Sequence, residues 1–246
     1  MQTAVSEHGV MTVASGGTGE ERPMAGEGGS KARKRPERQY SVGEEIANAV
    51  SHGVGMLLGI AALVLLIVRA AHHGGGAHLA AAIFMGVPLV LEYLFSTLYH
   101  AIQAPRAKAV LRVFDHCSIY LLIAGSYAPF ALISLAPYGG LRLFVVVWVL
   151  ALVGIGCELF LRERQPHWLA ALIYVAMGWI VAVKFPQVLA TLSPGAFGLL
   201  LAGGLCYTAG VPFYMAKGVP YLHFVFHLFV LAGSICITLS ALLFVV

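Results

Sequence analysis

The sequence predicts an all-α membrane protein, a polytopic seven-transmembrane helix bundle, and three observations predict it. Hydrophobic residues make up 59% of the 246 residues, charged residues make up only 11%, and the mean hydropathy is +0.86. Charged residues approach a quarter of an ordinary soluble domain. At ~20 apolar residues per spanning helix, the chain after its polar start holds about seven spans with short loops. No sizeable domain outside the membrane fits.

The polar start of the chain differs from everything that follows it. Residues 1–42 are rich in Gly, Ser, Thr, Glu and Arg and show no hydrophobic periodicity. Such a composition buries too little apolar surface to order a chain, so a disordered cytoplasmic tail is expected there. Residues 43–246 are expected to form the seven-helix transmembrane domain.

Seven apolar segments follow, separated by loops that contain Gly, Pro and charged residues. Pro88 and Pro129 fall within the second and third segments, where neighbouring helices can satisfy the freed backbone groups. Pro186 and Pro194 punctuate the fifth and sixth segments. The segments are expected at residues 46–71, 77–101, 109–134, 141–161, 167–185, 195–215 and 221–245.

The basic residues predict the orientation. Twelve of the fifteen Lys and Arg residues lie in the N-terminal tail or in the loops on its side of the membrane. By the positive-inside rule the N-terminus is cytoplasmic and the C-terminus extracytoplasmic, in a multi-pass protein of the cell inner (plasma) membrane. The net charge of +4 is therefore explained without a nucleic-acid partner. The basic run at residues 31–38 also suits anionic lipid.

The four cysteines do not show the spacing of a disulfide framework or of a metal-binding motif. Cys117, Cys157, Cys206 and Cys236 all lie inside apolar segments, and none has the CxxC spacing. They are expected to be small buried apolar residues rather than disulfide or metal ligands.

Ionisable side chains inside apolar segments indicate sites, because each costs roughly 2.5–3.5 kcal/mol at a helix centre. In the second segment Glu92, Ser96 and His100 recur every fourth residue, which places them on one helix face. In the seventh segment His223 and His227 are also four apart. That spacing lets two imidazoles from one helix reach one metal ion.

The alternating direction of the segments brings these groups to one depth. The end of the second segment shares the cytoplasmic leaflet with the beginnings of the first, third and seventh segments. Glu45 and His52 lie early in the first segment, Asp115 early in the third, and Glu158 late in the fourth. Polar residues scattered along the chain are therefore expected to converge in one leaflet.

Three neutral imidazoles with a carboxylate and a hydroxyl nearby make a tetrahedral Zn²⁺ site with an open fourth position. The expected ligands are His100, His223 and His227. Asp115 would hold or deprotonate a water molecule, and Ser96 would orient that water or support an oxyanion. The expected surrounding shell, which fixes the imidazole tautomers, is Glu92, His52 and Glu45.

The same polar residues also have simpler interpretations than a zinc site. A single intramembrane His is often only an interhelical hydrogen bond, and Ser96 is equally expected to bond a neighbouring backbone. The metal interpretation is favoured because His100 and Asp115 share the depth of the HxxxH pair. His116 lies about 100° around the helix from Asp115 and is expected at a helix interface. The remaining histidines are expected in the tail or loops: His8, His72, His73, His78 and His167.

Over about residues 44–245 the chain resembles the hemolysin III family, the bacterial branch of the progestin and adipoQ receptors. The resemblance rests on several motifs in order: Glu44-Glu45-Ile46-Ala47-Asn48 with Ser51-His52-Gly53; Glu92, Ser96 and His100; Phe114-Asp115-His116; Ala124-Gly125-Ser126-Tyr127-Ala128-Pro129-Phe130; Tyr174-Val175-Ala176-Met177-Gly178-Trp179; Gly203-Gly204-Leu205-Cys206-Tyr207-Thr208; and residues 223–234.

The resemblance implies seven helices, an N-terminus inside and a zinc ion in the inner-leaflet half. In the family's receptor members three histidines hold the metal, at positions that match His100, His223 and His227. The serine and aspartate that approach the metal through water match Ser96 and Asp115. The superfamily also includes ceramidases, other bacterial members point to membrane homeostasis, and the family name records haemolysis.

The leading functional expectation is a zinc-dependent membrane protein that acts on or senses a membrane lipid or acyl-chain ligand, with hydrolysis of an amide or ester as its chemistry. One alternative is a pore-forming haemolysin, but a conducting path needs polar side chains through both leaflets. Another is a non-catalytic sensor or receptor stabilised by zinc, but a structural zinc site normally has four protein ligands. The substrate and the oligomeric state stay open.

The charge asymmetry yields a topology prediction. A reporter fused after Val246 should be exported, whereas the same reporter at the N-terminus should stay in the cytoplasm, because the basic loops remain inside. Paired fusions to alkaline phosphatase and green fluorescent protein measure this. A cytoplasmic C-terminal reporter would overturn the orientation and the inner-leaflet position of the site.

Overall fold

The structure is a computed structural model that describes residues 39–161, 166–216 and 218–246, without the side chains of His73 and His167. Of the expected tail at residues 1–42, only the last four residues lie within this description. The described residues form helices and their connections and contain no strand. The eight α-helices found there are α1 (Val42–His73), α2 (Gly76–Ala101), α3 (Pro105–Ser126), α4 (Gly140–Leu161), α5 (His167–Trp179), α6 (Phe185–Thr191), α7 (Pro194–Met215) and α8 (Leu222–Phe244).

Seven spans of the described chain are long and apolar enough to cross a membrane. Six of them are built on α1, α2, α3, α4, α7 and α8. The remaining span, Trp168–Thr191, joins α5 to α6 through a 3₁₀ turn at Ile180–Lys184. The predicted all-α, seven-span fold class is therefore confirmed.

Helix α1 begins four residues before the predicted position because of a capping box. The Ser41 hydroxyl accepts the Glu44 N–H at 3.3 Å, and the Glu44 carboxylate accepts the Ser41 N–H at 2.9 Å. These reciprocal bonds satisfy donors that the first helical turn leaves free. The Ser-x-x-Glu signature was present in the sequence, but the prediction began at the first long apolar run.

One proline acts differently from the prediction. Pro186 does not end the fifth span at residue 185, because it occupies the first turn of α6, where its missing N–H removes no hydrogen bond. Pro129 lies within the third span, Pro105–Ser134, as predicted, between the end of α3 at Ser126 and a π-helical turn at Phe130–Ser134. Pro88 lies inside α2, as predicted.

The helices pack mainly against their neighbours in sequence. The pairs α1 and α2, α2 and α3, and α7 and α8 make the most extensive contacts, and α8 returns to pack against α1. This return brings the beginning of α8 beside the beginning of α1 and the end of α2. Large apolar side chains are widely exposed on the outside, as expected for surfaces that face lipid.

The end of the bundle at which α1 begins is called the proximal end below. Within the described ranges, every buried Asp, Glu and His lies in the half of its helix nearest this end. The distal half buries hydroxyls such as those of Ser234, Thr238 and Ser240 instead. The convergence expected from the alternating segments is therefore present in the fold.

Gly154 provides a direct test of the α3–α4 packing. A Cβ atom on Gly154 would collide with the ring of Tyr120, which is completely buried, whereas a Cβ on Gly156 would meet nothing within 4 Å. Both alanines gain the same helix propensity, so only the collision differs. Gly154→Ala should lower stability by about 1–3 kcal/mol relative to Gly156→Ala. Equal thermal unfolding midpoints in detergent would contradict this packing.

Candidate metal centre

Three histidine rings meet at the proximal end. His100 lies in the last turn of α2, whereas His223 and His227 lie one turn apart at the beginning of α8. The nitrogen atoms that they offer all lie within 4.8 Å of one another. The Nε2 atoms of His223 and His227 are 3.1 Å apart. The spacing of four residues and the return of α8 to α2 together create this cluster.

Hydrogen bonds orient two of these rings. His100 Nδ1 lies 2.7 Å from Glu45 Oε2, and Lys108 Nζ donates to Glu45 Oε1 at 2.8 Å. His227 Nδ1 lies 3.3 Å from the carbonyl oxygen of Asn48. Carboxylate and carbonyl oxygens accept protons, so each Nδ1 is the donor and each Nε2 keeps its lone pair. This is the arrangement typical of histidines that bind metals.

The donor set fits a metal ion on two observations. His100 Nε2 is buried and has no hydrogen-bond partner among the described residues. Two nitrogens bound tetrahedrally at about 2.0–2.1 Å would be about 3.3 Å apart, close to the 3.1 Å between His223 and His227. The group could therefore hold a metal ion.

A cavity of about 620 Å³ opens beside the cluster and contains the other predicted catalytic residues. His223 and His227 line it together with Asp115 from α3 and Ser96 from α2. Asp115 and Ser96 are both buried in the fold. The structure thus places an acid and a hydroxyl in the same space as two of the candidate ligands. His100 is only 1% exposed and is not among the residues that line this polar cavity.

The three residues expected in the surrounding shell take different positions. Glu45 accepts the hydrogen bond from His100, as described above. His52 stacks on His227 with ring centroids 3.6 Å apart, and its two ring nitrogens lack hydrogen-bond partners within the described chain. Glu92 instead accepts a hydrogen bond from Ser118 Oγ at 2.6 Å. The structure therefore places Glu92 against α3 rather than against a candidate ligand.

The remaining polar residues mostly serve contacts between helices. His116 Nδ1 lies 2.8 Å from Glu158 Oε1 and links α3 to α4. His72 is exposed and His78 half-buried, whereas His8 and the side chains of His73 and His167 lie outside the description. All four cysteines are free thiols; Cys117 is buried as expected, whereas Cys157, Cys206 and Cys236 are only half-buried.

Sequence reasoning missed several residues that touch the cluster. Lys108 was counted only as a topogenic charge, and Asn48 was not assigned a contact with His227. Tyr40, just before the helix cap, packs its ring 5.2 Å from that of His223. Burial and neighbouring tyrosine and carboxylate groups raise the pKa of the Tyr40 hydroxyl above its usual range, so it is a neutral phenol. The capping box could have indicated where Tyr40 lies relative to α1, but no local signal indicates its contact with α8.

A second, apolar cavity of about 190 Å³ adjoins the polar one. It lies among α3, α5, α7 and α8 and is lined mainly by aliphatic and aromatic side chains. The two cavities share four wall residues: Glu92, Ile119, Tyr214 and Phe226. An apolar compartment therefore borders the compartment that His223 and His227 line.

Comparisons with known proteins agree with this architecture. Residues 40–238 match the protein family described as Haemolysin-III related. The chain is 41% identical to the "Hemolysin-3" of Bacillus cereus over 204 residues, which are 83% of this chain and 93% of that protein. It is 43% identical to the "Hemolysin-3 homolog" of Bacillus subtilis (strain 168) over 195 residues, 79% of this chain and 91% of that protein.

A more distant relative is found among animal proteins. The human "Monocyte to macrophage differentiation factor" is 32% identical over 161 residues, which are 61% of this chain and 63% of that protein. The family match covers the seven spans down to residue 238 and all of the histidine cluster. The chain is therefore a multi-pass membrane protein that belongs to the haemolysin-III related family.

Proposed function

We propose that this protein is a zinc-dependent hydrolase of the plasma membrane that cleaves an amide or ester bond in a membrane lipid. One observation carries the proposal. The polar cavity lined by His223, His227, Asp115 and Ser96 shares wall residues with an apolar cavity inside the membrane-spanning bundle. A lipid chain in the apolar cavity would place its polar end beside these groups.

In this proposal His100, His223 and His227 would hold the zinc ion, and three protein ligands are the number typical of catalytic zinc sites. Zinc in such a site supplies a Lewis acid for a carbonyl group and makes a water molecule reactive at neutral pH. Glu45 holds the His100 ring through its 2.7 Å hydrogen bond, and Lys108 in turn holds Glu45. Orienting partners of this kind strengthen metal binding and are costly to lose.

Asp115 and Ser96 supply the remaining chemistry. Asp115 accepts a proton from the water that attacks the acyl carbon, and it returns this proton to the leaving amine or alcohol as the acyl bond breaks. The Ser96 hydroxyl donates a hydrogen bond to the carbonyl oxygen as negative charge develops there. Both roles require the residues to line the space that the substrate enters, and both line the polar cavity.

The apolar cavity is suited to bind the chain of the lipid. Side chains such as Leu122, Phe197 and Val230 form its wall, so a hydrocarbon chain bound there would be surrounded mainly by apolar groups. The four wall residues that the two cavities share mark the boundary between the apolar cavity and the polar cavity. A membrane lipid or acyl-chain ligand is therefore the proposed partner.

A pore is the second candidate function because two relatives carry the name Hemolysin-3. A conducting path needs polar groups through the full thickness of the membrane. In the part of the chain that the structure describes, the buried Asp, Glu and His side chains lie only in the proximal half. A zinc-stabilised sensor without catalysis is also compatible with the cluster, but its three protein ligands are fewer than a structural zinc site normally has.

The ligand assignment predicts metal content. Purified protein should hold about one zinc per chain, and the double variant His223→Ala, His227→Ala should lose most of it because two of three ligands are removed. His72→Ala, an exposed substitution at the other end of α1, should keep the wild-type zinc content. Metal analysis by mass spectrometry measures all three. Zinc-free, well-folded wild type, or full retention in the double variant, would disprove the assignment.

The proton role of Asp115 predicts a separation of binding from turnover. Asp115→Asn keeps the size of the side chain but removes its base, so zinc should stay bound while hydrolysis falls by ~10²–10⁴-fold. The measurement compares wild type, Asp115→Asn and His100→Ala on ceramide-like amides and phospholipid esters in bilayers.

The same proteins distinguish the hydrolase from the pore. A pore should show lysis or conductance that changes only modestly in Asp115→Asn, because this change neither opens nor closes a path through the apolar distal half. No zinc-dependent hydrolysis by wild type, together with lysis that is insensitive to both variants, would reject the hydrolase and favour the pore.

A further inference from the structure

Tyr40 covers the candidate metal centre at the proximal end. Its ring is stacked on that of His223, with centroids 5.2 Å apart and an interplanar angle of 24°. The same ring lies 5.9 Å from His100, at an angle of 59°. Tyr40 also lines the polar cavity. A single aromatic side chain that precedes the first helix thus contacts two of the three candidate ligands, which come from two other helices.

One carboxylate holds the backbone on both sides of this stack. Glu44 Oε2 accepts the N–H of Ser41, the residue after Tyr40, at 2.9 Å. Glu44 Oε1 accepts the N–H of Tyr221, two residues before His223, also at 2.9 Å. Glu44 is only 2% exposed, so competing water is largely excluded from these bonds. The beginnings of α1 and α8 are therefore tied together through Glu44.

The turn before α8 is held in an unfavourable conformation. Tyr221 has φ 61°, in the left-handed region that non-glycine residues rarely adopt. Such a conformation persists where surrounding contacts determine it. Besides the bond to Glu44, the Tyr221 hydroxyl lies against Gly43, where an added Cβ atom would approach it to 2.8 Å. These contacts fix the point from which His223 extends.

His223 is the least buried of the three candidate ligands. His100 and His227 are buried, whereas His223 is half-buried. Tyr40 covers the His223 ring, and stacked aromatic pairs of this kind contribute about 0.5–1.5 kcal/mol beyond buried area in measured cases. The stack therefore restricts the least buried ring of the cluster.

We propose that Tyr40 is a positioning residue of the metal centre, which holds His223 in its coordinating orientation by stacking and slows the loss of the ion. Glu44 acts through Tyr40 and Tyr221 by fixing the backbone on both sides of the stack. This inference rests on the zinc site of the proposed function, but it assigns Tyr40 and Glu44 roles that the hydrolysis itself does not require.

The test measures zinc affinity and the rate of zinc transfer to a chromogenic chelator, using the full-length protein in lipid nanodiscs. Tyr40→Ala should weaken zinc binding about 10- to 100-fold, the range measured for residues that support metal ligands, and should speed release. Tyr40→Phe should remain within about twofold of wild type, because the ring is kept. Glu44→Gln should also release zinc faster, since the two N–H groups bond to separate carboxylate oxygens and Gln replaces one of these oxygens with an NH2 donor.

Two controls separate positioning from folding. Tyr138→Ala removes a half-exposed tyrosine remote from the cluster and should release zinc at the wild-type rate. Tyr40→Leu keeps apolar bulk without an aromatic face, so it should preserve the thermal stability of the zinc-free protein and still release zinc faster. This second variant keeps the test decisive if Tyr40→Ala does not fold.

Each outcome has one meaning. Wild type that binds no zinc contradicts the proposed function and, with it, the basis of this inference. Wild type that binds zinc, with folded Tyr40→Ala and Tyr40→Leu variants releasing it at the wild-type rate, overturns the role of Tyr40 alone. Loss of zinc from Tyr40→Phe as fast as from Tyr40→Ala would show that the hydroxyl, and not the stacked ring, matters.

Discussion

The hydrogen bond between Glu45 and His100 is the interaction on which the arrangement of the proximal end depends. It pairs a carboxylate on α1 with an imidazole on α2, and Lys108 at the beginning of α3 completes the group. Unpaired ionisable groups inside apolar helices are costly, so these three residues stabilise one another only when three helices meet. The same bond uses the Nδ1 atom of His100 and leaves its buried Nε2 atom without a hydrogen-bond partner within the described chain. Pairing that the membrane environment demands therefore also orients a candidate metal ligand.

The positions of the two cavities follow from the separation of ionisable residues from apolar residues within the bundle. Ionisable groups on α1, α2, α3 and α8 surround the polar cavity, whereas aliphatic and aromatic groups on α3, α5, α7 and α8 surround the other. The cavities meet at Glu92, which Ser118 holds by a hydrogen bond. A candidate metal centre beside an apolar compartment is the geometry that the proposed lipid substrate would need, since its chain and its polar group require different surroundings.

At the proximal end, the capping box of α1 also helps to position residues of the candidate metal centre. The capping box that begins α1 satisfies free backbone donors, which is an ordinary role at a helix terminus. Here its Glu44 also accepts the N–H of Tyr221, so the cap of one helix sets the beginning of another. Tyr40 and His223 are brought face to face as a result. The strained backbone of Tyr221 is a local cost that these contacts offset.

The sequence by itself determined the seven spans, because the length of an apolar run and the period of a helix are local properties. It also determined that His100, His223 and His227 share a depth, since consecutive spans alternate in direction. Local patterns did not determine that Glu45 rather than Glu92 contacts His100, because spacing assigns a helix face and not the neighbour that the face meets. Only the tertiary structure decided that Pro186 lies in the first turn of a continuing helix and that Tyr40 stacks on His223. These outcomes depend on contacts between segments up to about 180 residues apart, where packing and buried pairing, not periodicity, select the partner.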